Sequence, residues 1–413
     1  MNNLGFKGIV QKLSFIREYS SLFLPIVIIV VAALVFIPTQ LISNTLRKQV
    51  AGESISVGKR VGGLITNSIP RDQWKEEEKY QQSFAEDANQ ISLLAKHSSQ
   101  RELLSYKLFP EPKDVSSLIF DEFGQKFRSG VEKFIERLNA HDCPSNAELT
   151  KALSSAQIAT KTGLSTEFSS SGVDETIKQT LCSNRALESS AYTNPSDVDG
   201  YDFWGKYKYT GMSDAVRDCW CWQVGYWIIE DVFDTIDAMN AGSKTVFTSP
   251  VKRLLYVNFT QWSNKAARQS RTAKLPRYVL SALDGFTESC TGRFCNSDID
   301  VVHFRVSVVL STKAVLPFMQ QLCSAKQHKF KGFTGKEPEQ TFKHNQITVL
   351  ESSITAIDRV GQLHNLYRYG QDAVVKVDLI CEYIFDRKGY DEIKPKAIKD
   401  LLPAAATGGT GSS

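Results

Sequence analysis

One stretch limits what this chain can fold into. From Glu18 to Arg47 there is no intervening Asp, Glu, Lys or Arg, and over residues 22–37 only Pro25 interrupts an aliphatic and aromatic run. A bilayer core needs about 20 apolar residues as a helix, the one single-segment structure that satisfies its own backbone in lipid. Pro25 falls in the first turn of such a helix, where its missing N–H costs little. Residues 20–42 therefore read as a transmembrane helix and residues 1–19 as a cytoplasmic tail. A cleaved signal peptide is the competing reading, with Lys7, Lys12 and Arg17 as its charged region. The apolar run is longer than a signal core, and no small-x-small site follows it. Lys7, Lys12 and Arg17 before the span nearly balance Arg47, Lys48, Lys59 and Arg60 after it, so the positive-inside count barely sets the orientation.

Eight cysteines tip the orientation toward a cytoplasmic N-terminus with the bulk of the chain outside. Cys290-Thr-Gly-Arg-Phe-Cys295 is the expected local disulfide, closing a turn at Gly292; free buried thiols are the alternative, and overall connectivity cannot be read from spacing. The 413 residues are 42% hydrophobic, enough for two or three compact units. Forty-nine basic against 45 acidic residues give a net charge of +4 and no aromatic-interleaved basic stripe, so no nucleic-acid partner is expected.

Residues 43–140 read as a helical stalk. Val50, Val57, Val61 and Leu64 keep helical spacing, and Pro70 breaks the pattern. Asp72 can cap the next helix, whose acidic first turn (Glu76, Glu77, Glu78) suits the macrodipole. There Phe84, Ala88, Ile91 and Ala95 repeat at four, three and four, the narrow seam of a two-stranded coiled coil. An amphipathic helix packed on its own domain would show the same pattern. Farther on, Ile119, Phe123, Phe127, Val131, Phe134 and Leu138 mark a third helix. Residues 141–210 are rich in Ser, Thr and Asn without a sustained period, so loops and short helices are expected as an irregular linker.

Residues 211–390 are more regular. A helix over 213–239 carries Val216, Trp220, Val224, Trp227, Ile228, Val232 and Ile236 on its apolar stripe. Trp222 falls off that stripe and is the candidate contact residue. Residues 246–259 form a strand after Pro250, and a polar insertion over 260–300 carries Lys265, Arg268, Arg271, Lys274 and Arg277. Val302, Phe304, Val306, Val308 and Leu310 alternate on the next strand. A short helix (313–323) and strands over 347–357 and 375–385 repeat the order. The expected fold class is α+β: an N-terminal transmembrane helix, a coiled-coil-like stalk, and a permuted ferredoxin-like domain (αββ repeated), with a four-stranded antiparallel sheet and both helices on one face. Residues 391–413 form a C-terminal tail, expected disordered after 403.

This layout resembles the inner-membrane assembly proteins of type IV pili and type II secretion, the PilO and GspM families. The closer match is a PilO-like branch of planctomycete and verrucomicrobial bacteria, through Ser249-Pro-Val-Lys-Arg-Leu254, Phe304-Arg-Val-Ser-Val-Val-Leu-Ser-Thr-Lys-Ala-Val-Leu-Pro-Phe318 and Asp378-Leu-Ile-Cys-Glu-Tyr383. Residues 141–210 and 260–300 exceed that family's short layout. The resemblance implies a scaffold of the bacterial inner membrane with a periplasmic domain, pairing with itself or with a PilN-like membrane protein.

Catalytic signals are few. Lys331-Gly-Phe-Thr-Gly-Lys-Glu337 has the wrong spacing for a phosphate loop and reads as a turn between strands. Cys219-Trp-Cys221 lacks zinc spacing. His97, His141, His303, His328, His344 and His364 form no paired motif, and Asp202, Asp214, Asp218 and Glu230 read as solvated or capping carboxylates. No enzyme activity, cofactor, metal or small-molecule substrate is expected. The rival reading is an extracytoplasmic ligand-binding or sensor protein in which 141–210 and 260–300 form the recognition surface. A tethered hydrolase ranks third.

Overall fold

The computed structural model describes residues 20–66, 71–114, 116–162, 170–259, 275–287 and 290–403. The expected cytoplasmic tail, the basic positions Lys265, Arg268, Arg271 and Lys274, and the end of the C-terminal tail lie outside the described residues. The chain divides into two compact units, Met1–Asp87 and Ala88–Ser413.

The first unit is helical. Helix α1 (Ser20–Gln49) continues through a π-helical turn (Val50–Ile55) into α2 (Ser56–Thr66). Within it lies the one helical stretch among the described residues long and apolar enough to cross a membrane, Leu24–Ile65. Thr39 and Thr45 donate their hydroxyls to the carbonyls of Val35 and Leu41, at 2.6 and 2.8 Å, so these polar groups are satisfied by their own helix. Helix α3 (Arg71–Ser98) follows, and its last turns belong to the second unit.

The second unit is α+β, built on a mixed six-stranded sheet. In chain order it contains α4 (Leu118–Arg137), β1 (Ala140–His141), α5 (Asn146–Thr162), α6 (Ser170–Glu188), β2 (Ala191–Tyr192), α7 (Tyr201–Gly205), α8 (Met212–Asn240) and β3 (Val251–Asn258). Then come β4 (Ile299–Ser311), α9 (Val315–Leu322), β5 (Lys326–Phe330), β6 (Gln340–His344), β7 (Ile347–Ala356), β8 (Val374–Asp386), α10 (Arg387–Tyr390) and α11 (Lys396–Lys399). The sheet order is β1-β2-β3-β4-β8-β7, and β5 and β6 form a separate hairpin. Strands β3, β4, β8 and β7 pair antiparallel, whereas β1 and β2 add in parallel beside β3. Val302, Phe304, Val306 and Val308 on β4 and Val377, Leu379, Cys381, Tyr383 and Phe385 on β8 line the main core. Their strict alternation is what one buried sheet face requires.

Helix α8 is buried on nearly every side. The sheet covers one side, where Trp227 stands 6.0 Å from Phe385, ring centre to ring centre. Helix α4 covers the other: Phe127 packs on Trp222 and Tyr226 at 5.5 and 5.7 Å, and Phe134 packs on Phe233 at 5.5 Å. This moves the expected stalk boundary. The α4 apolar face is not a stalk face but the outer wall of the globular core, because an all-round apolar helix such as α8 needs cover on both sides.

Residues 141–210 also differ from the irregular linker expected. They hold two long helices, α5 and α6. Ser145 and Glu148 cap α5 reciprocally: Ser145 donates its N–H to Glu148 Oε2 at 2.7 Å, and Glu148 donates its N–H to Ser145 Oγ at 3.2 Å. Both helices are largely polar, which hid their period.

Candidate functional site: a buried ionic junction at the root of α3

The segment that follows α3 is held inside the globular unit by polar side chains. Ser99 is fully buried. Its hydroxyl accepts from the backbone N–H of Asp386 at 2.8 Å and from Gln346 Nε2 at 3.1 Å. A Cβ on Gly389 would sit 2.3 Å from the Lys96 carbonyl oxygen, so α10 meets the end of α3 as closely as backbones allow. Gly389→Ala is expected to cost about 1–3 kcal/mol through that overlap. Thermal unfolding of the full chain checks it, and an unchanged midpoint would mean that the two backbones part easily.

Two residues beyond Ser99, at Arg101, lies a buried cluster of ionisable groups. Arg101 is only 2% exposed. Its Nη1 donates to Tyr383 Oη at 2.7 Å, and its Nη2 donates to Glu230 Oε2 at 2.7 Å and Asp231 Oδ1 at 2.9 Å. The Tyr383 hydroxyl in turn donates to Asp231 Oδ2 at 2.8 Å. His344 Nε2 reaches the same oxygen at 2.9 Å. His344 Nδ1 faces His328 Nδ1 at 2.8 Å, and His328 Nε2 faces the Gln100 carbonyl at 2.9 Å. Helix α8, strands β5, β6 and β8 and the segment after α3 thus converge on one buried point.

The electrostatics follow from burial against pairing. Burial alone would raise the Asp231 carboxyl, but Arg101 and His344 more than offset it and hold the group below the usual carboxylate range. Burial works against the Arg101 charge, yet Asp231, Tyr383 and Glu230 outweigh it and raise the guanidinium further. Burial lifts Glu230 against the pull of Arg101. His328 is pushed down to about 3 by burial, Arg101 and His344. His344 is lowered by burial, against the attraction of Asp231. Lys326 caps the end of α9 instead, donating to the Leu322 carbonyl at 2.7 Å.

The residues singled out from sequence lie elsewhere and are not brought together. Phe84, Ala88 and Ile91 are exposed on α3, and Ala95 is half-buried. Trp222, expected off the buried face, is fully buried, because the face it occupies is the one α4 covers. Cys290 and Cys295 are not bridged. All eight cysteines are free thiols, Cys290 exposed and Cys295 buried. Cys295 Sγ instead accepts the Val301 N–H at 3.2 Å, which turns it inward beside β4. With no disulfide in the structure, five of the eight act as small core side chains, and their number no longer bears on orientation. Among the carboxylates expected in solvent, Asp218 is buried and Glu230 pairs with Arg101 at 2.7 Å.

Sequence reasoning passed over Arg101 and Asp231 altogether, and it read His328 and His344 as unpaired, whereas their rings meet at 2.8 Å. The one signal was β5 itself, where Lys326, His328 and Phe330 alternate inward on a short strand. Compared with known proteins, the chain matches no family model, no curated protein and no solved structure.

Proposed function

We propose that the chain is a non-enzymatic scaffold of the cell envelope, a PilO-like component of a type IV pilus or type II secretion platform. In this reading α1 anchors it in the bacterial inner membrane, with the N-terminus cytoplasmic and the globular unit periplasmic; the orientation follows from the resemblance. The order β3-β4-β8-β7, with α8 ahead of one strand pair and α9 ahead of the other, supports a permuted ferredoxin-like core.

The observation that carries the reading is the uncovered apolar stripe of α3. Phe84 is 66% exposed and Ile91 67%, on a helix where Trp74, Tyr80 and Leu94 are exposed as well. That much apolar helix surface calls for a partner helix. Two copies anchored in one membrane present α3 in parallel, the geometry in which Phe84, Ala88, Ile91 and Ala95 form a shared seam, with either a second copy or a PilN-like protein. A Phe84→Asp, Ile91→Asp chain is expected to elute from mild detergent at half the wild-type protein mass by light scattering. An unchanged mass would remove the seam from the interface.

A second reading, ligand binding on the same fold, is favoured by one feature. The outer sheet face holds a hollow lined by Tyr256, Arg305, Glu351, Lys376 and Asp378. A small molecule that raised the melting temperature of wild-type protein, but not of Arg305→Ala, would support it.

A further inference from the structure

His328 and His344 are held Nδ1 to Nδ1 at 2.8 Å. Their other ring nitrogens face groups that only accept, the Gln100 carbonyl and the Asp231 carboxylate, each at 2.9 Å. Three contacts in a row need three ring protons. Two neutral imidazoles carry two between them. With two, one contact always lacks its proton: Nε2 of His344 turns a lone pair on Asp231, or Nε2 of His328 turns one on the Gln100 carbonyl, or two lone pairs meet between the rings. A third proton completes the chain as one imidazolium shared by the pair. A fourth would drive two N–H groups head to head across 2.8 Å. The closed arrangement therefore tolerates at most one positive charge, whereas two histidines in water take up two.

The surroundings enforce that limit from every side. Asp231 on α8 favours the first charge, while Glu230 beside it is engaged by Arg101. Arg101 after α3 and Lys326 on β5 both oppose any charge on His344. Tyr383 on β8 spends its proton on Asp231, and His97 at the end of α3 lies stacked on Phe342 of β6 at 4.2 Å. His344 is 1% exposed, so no water shell takes up the excess.

We propose that the β5–β6 hairpin is an acid-opened latch: it closes on α8 and on Gln100 with at most one proton shared between His328 and His344, and releases when both rings are protonated. The direction follows from proton counting. Below the ordinary histidine value of about 6.5 the open hairpin binds more protons than the closed one, so closing weakens as pH falls. What the latch holds is the root of α3, since Gln100 accepts from His328 and Arg101 is bound through Asp231 and Tyr383. The latch does not depend on the scaffold reading.

Hydrogen–deuterium exchange of the full-length chain in detergent, at pH 7.5, 6.5 and 5.0 and corrected for intrinsic chemistry, tests it. Amides of residues 326–344 are expected to open about tenfold or more often at pH 5.0 than at pH 6.5, the factor set by one extra proton on the open form. Amides of 302–310 and 377–385 should stay protected. His328→Gln removes one ring and should abolish the pH response, whatever its baseline. A hairpin with the same protection at all three values overturns the latch, as does a rise shared equally by β4 and β8, or a His328→Gln chain that keeps the full response. If His328→Gln fails to fold, the wild-type comparison of the hairpin with β4 and β8 decides alone.

Discussion

Arg101→Leu is expected to lower the unfolding free energy of the globular unit by about 3–5 kcal/mol, the range for removing one partner of a buried ion pair. The loss exceeds that of three hydrogen bonds. Asp231 is fully buried, and without the guanidinium its carboxylate keeps, among the described residues, Tyr383 and His344 as donors. Glu230 loses its ion-pair partner in the same step. Arg101→Lys should recover only part of the loss, because one ammonium cannot reach Tyr383, Glu230 and Asp231 in the fork geometry that the guanidinium uses. The control is Arg137→Leu, which breaks contacts to Asp234 and Asp237 at a site where Arg137 is 42% exposed. Such surface pairs are worth about 0–1 kcal/mol. Denaturant unfolding of the three full-length variants followed by circular dichroism gives the comparison. An Arg101→Leu loss no larger than that of Arg137→Leu would mean that water or a rearranged Asp231 replaces the guanidinium. Acid should act in the same direction. Asp231 is held below its ordinary value, so its contribution is present above the usual carboxylate range and is lost as pH falls below about 4.

How legible such features are in sequence depends on whether their pattern follows hydropathy. The strands β4 and β8 were readable because Val302 to Leu310 and Val377 to Phe385 alternate apolar-in, and both strands appear with inward faces as read. The same rule fails on β5, where the inward set is Lys326, His328 and Phe330. A polar side chain turned inward looks like one turned outward until its partners are known. Those partners come from distant segments: 130 residues separate Arg101 from Asp231, and 113 separate Asp231 from His344. No local window contains them. The stalk boundary failed for a related reason. The period of α4 announces an apolar face but not what it packs against, and only the two-sided burial of α8 assigns that face to the globular core. For α5 the signal was present in Ser145-Asn-Ala-Glu148, a capping box, but the polar body of the helix gave no period to follow it.

Trp222→Ala is expected to cost about 3–5 kcal/mol, the range for truncating a buried aromatic. Phe127, Phe203 and Phe259 surround the indole at 5.5, 5.6 and 6.0 Å. A Cβ on Gly200 would come within 2.8 Å of the ring, so neighbouring backbone is already drawn against it and cannot collapse further into the space left by alanine. Trp222→Phe separates packing from polarity. Among the described residues the Trp222 indole N–H is buried without a hydrogen-bond partner. Phenylalanine removes that unpaired donor while keeping most of the ring contact, and losing an unpaired buried donor is itself favourable. Trp222→Phe should therefore lie within about 1.5 kcal/mol of wild type, as volume-conserving core changes do. A surface role predicts the reverse pattern: Trp222→Ala would leave the denaturation midpoint in place and abolish a partner interaction. Denaturation of the two variants, set against whatever the full-length wild-type and variant chains co-purify with in mild detergent, distinguishes these outcomes. A large stability loss with Trp222→Ala, absent with Trp222→Phe, assigns the residue to the core between α4 and α8.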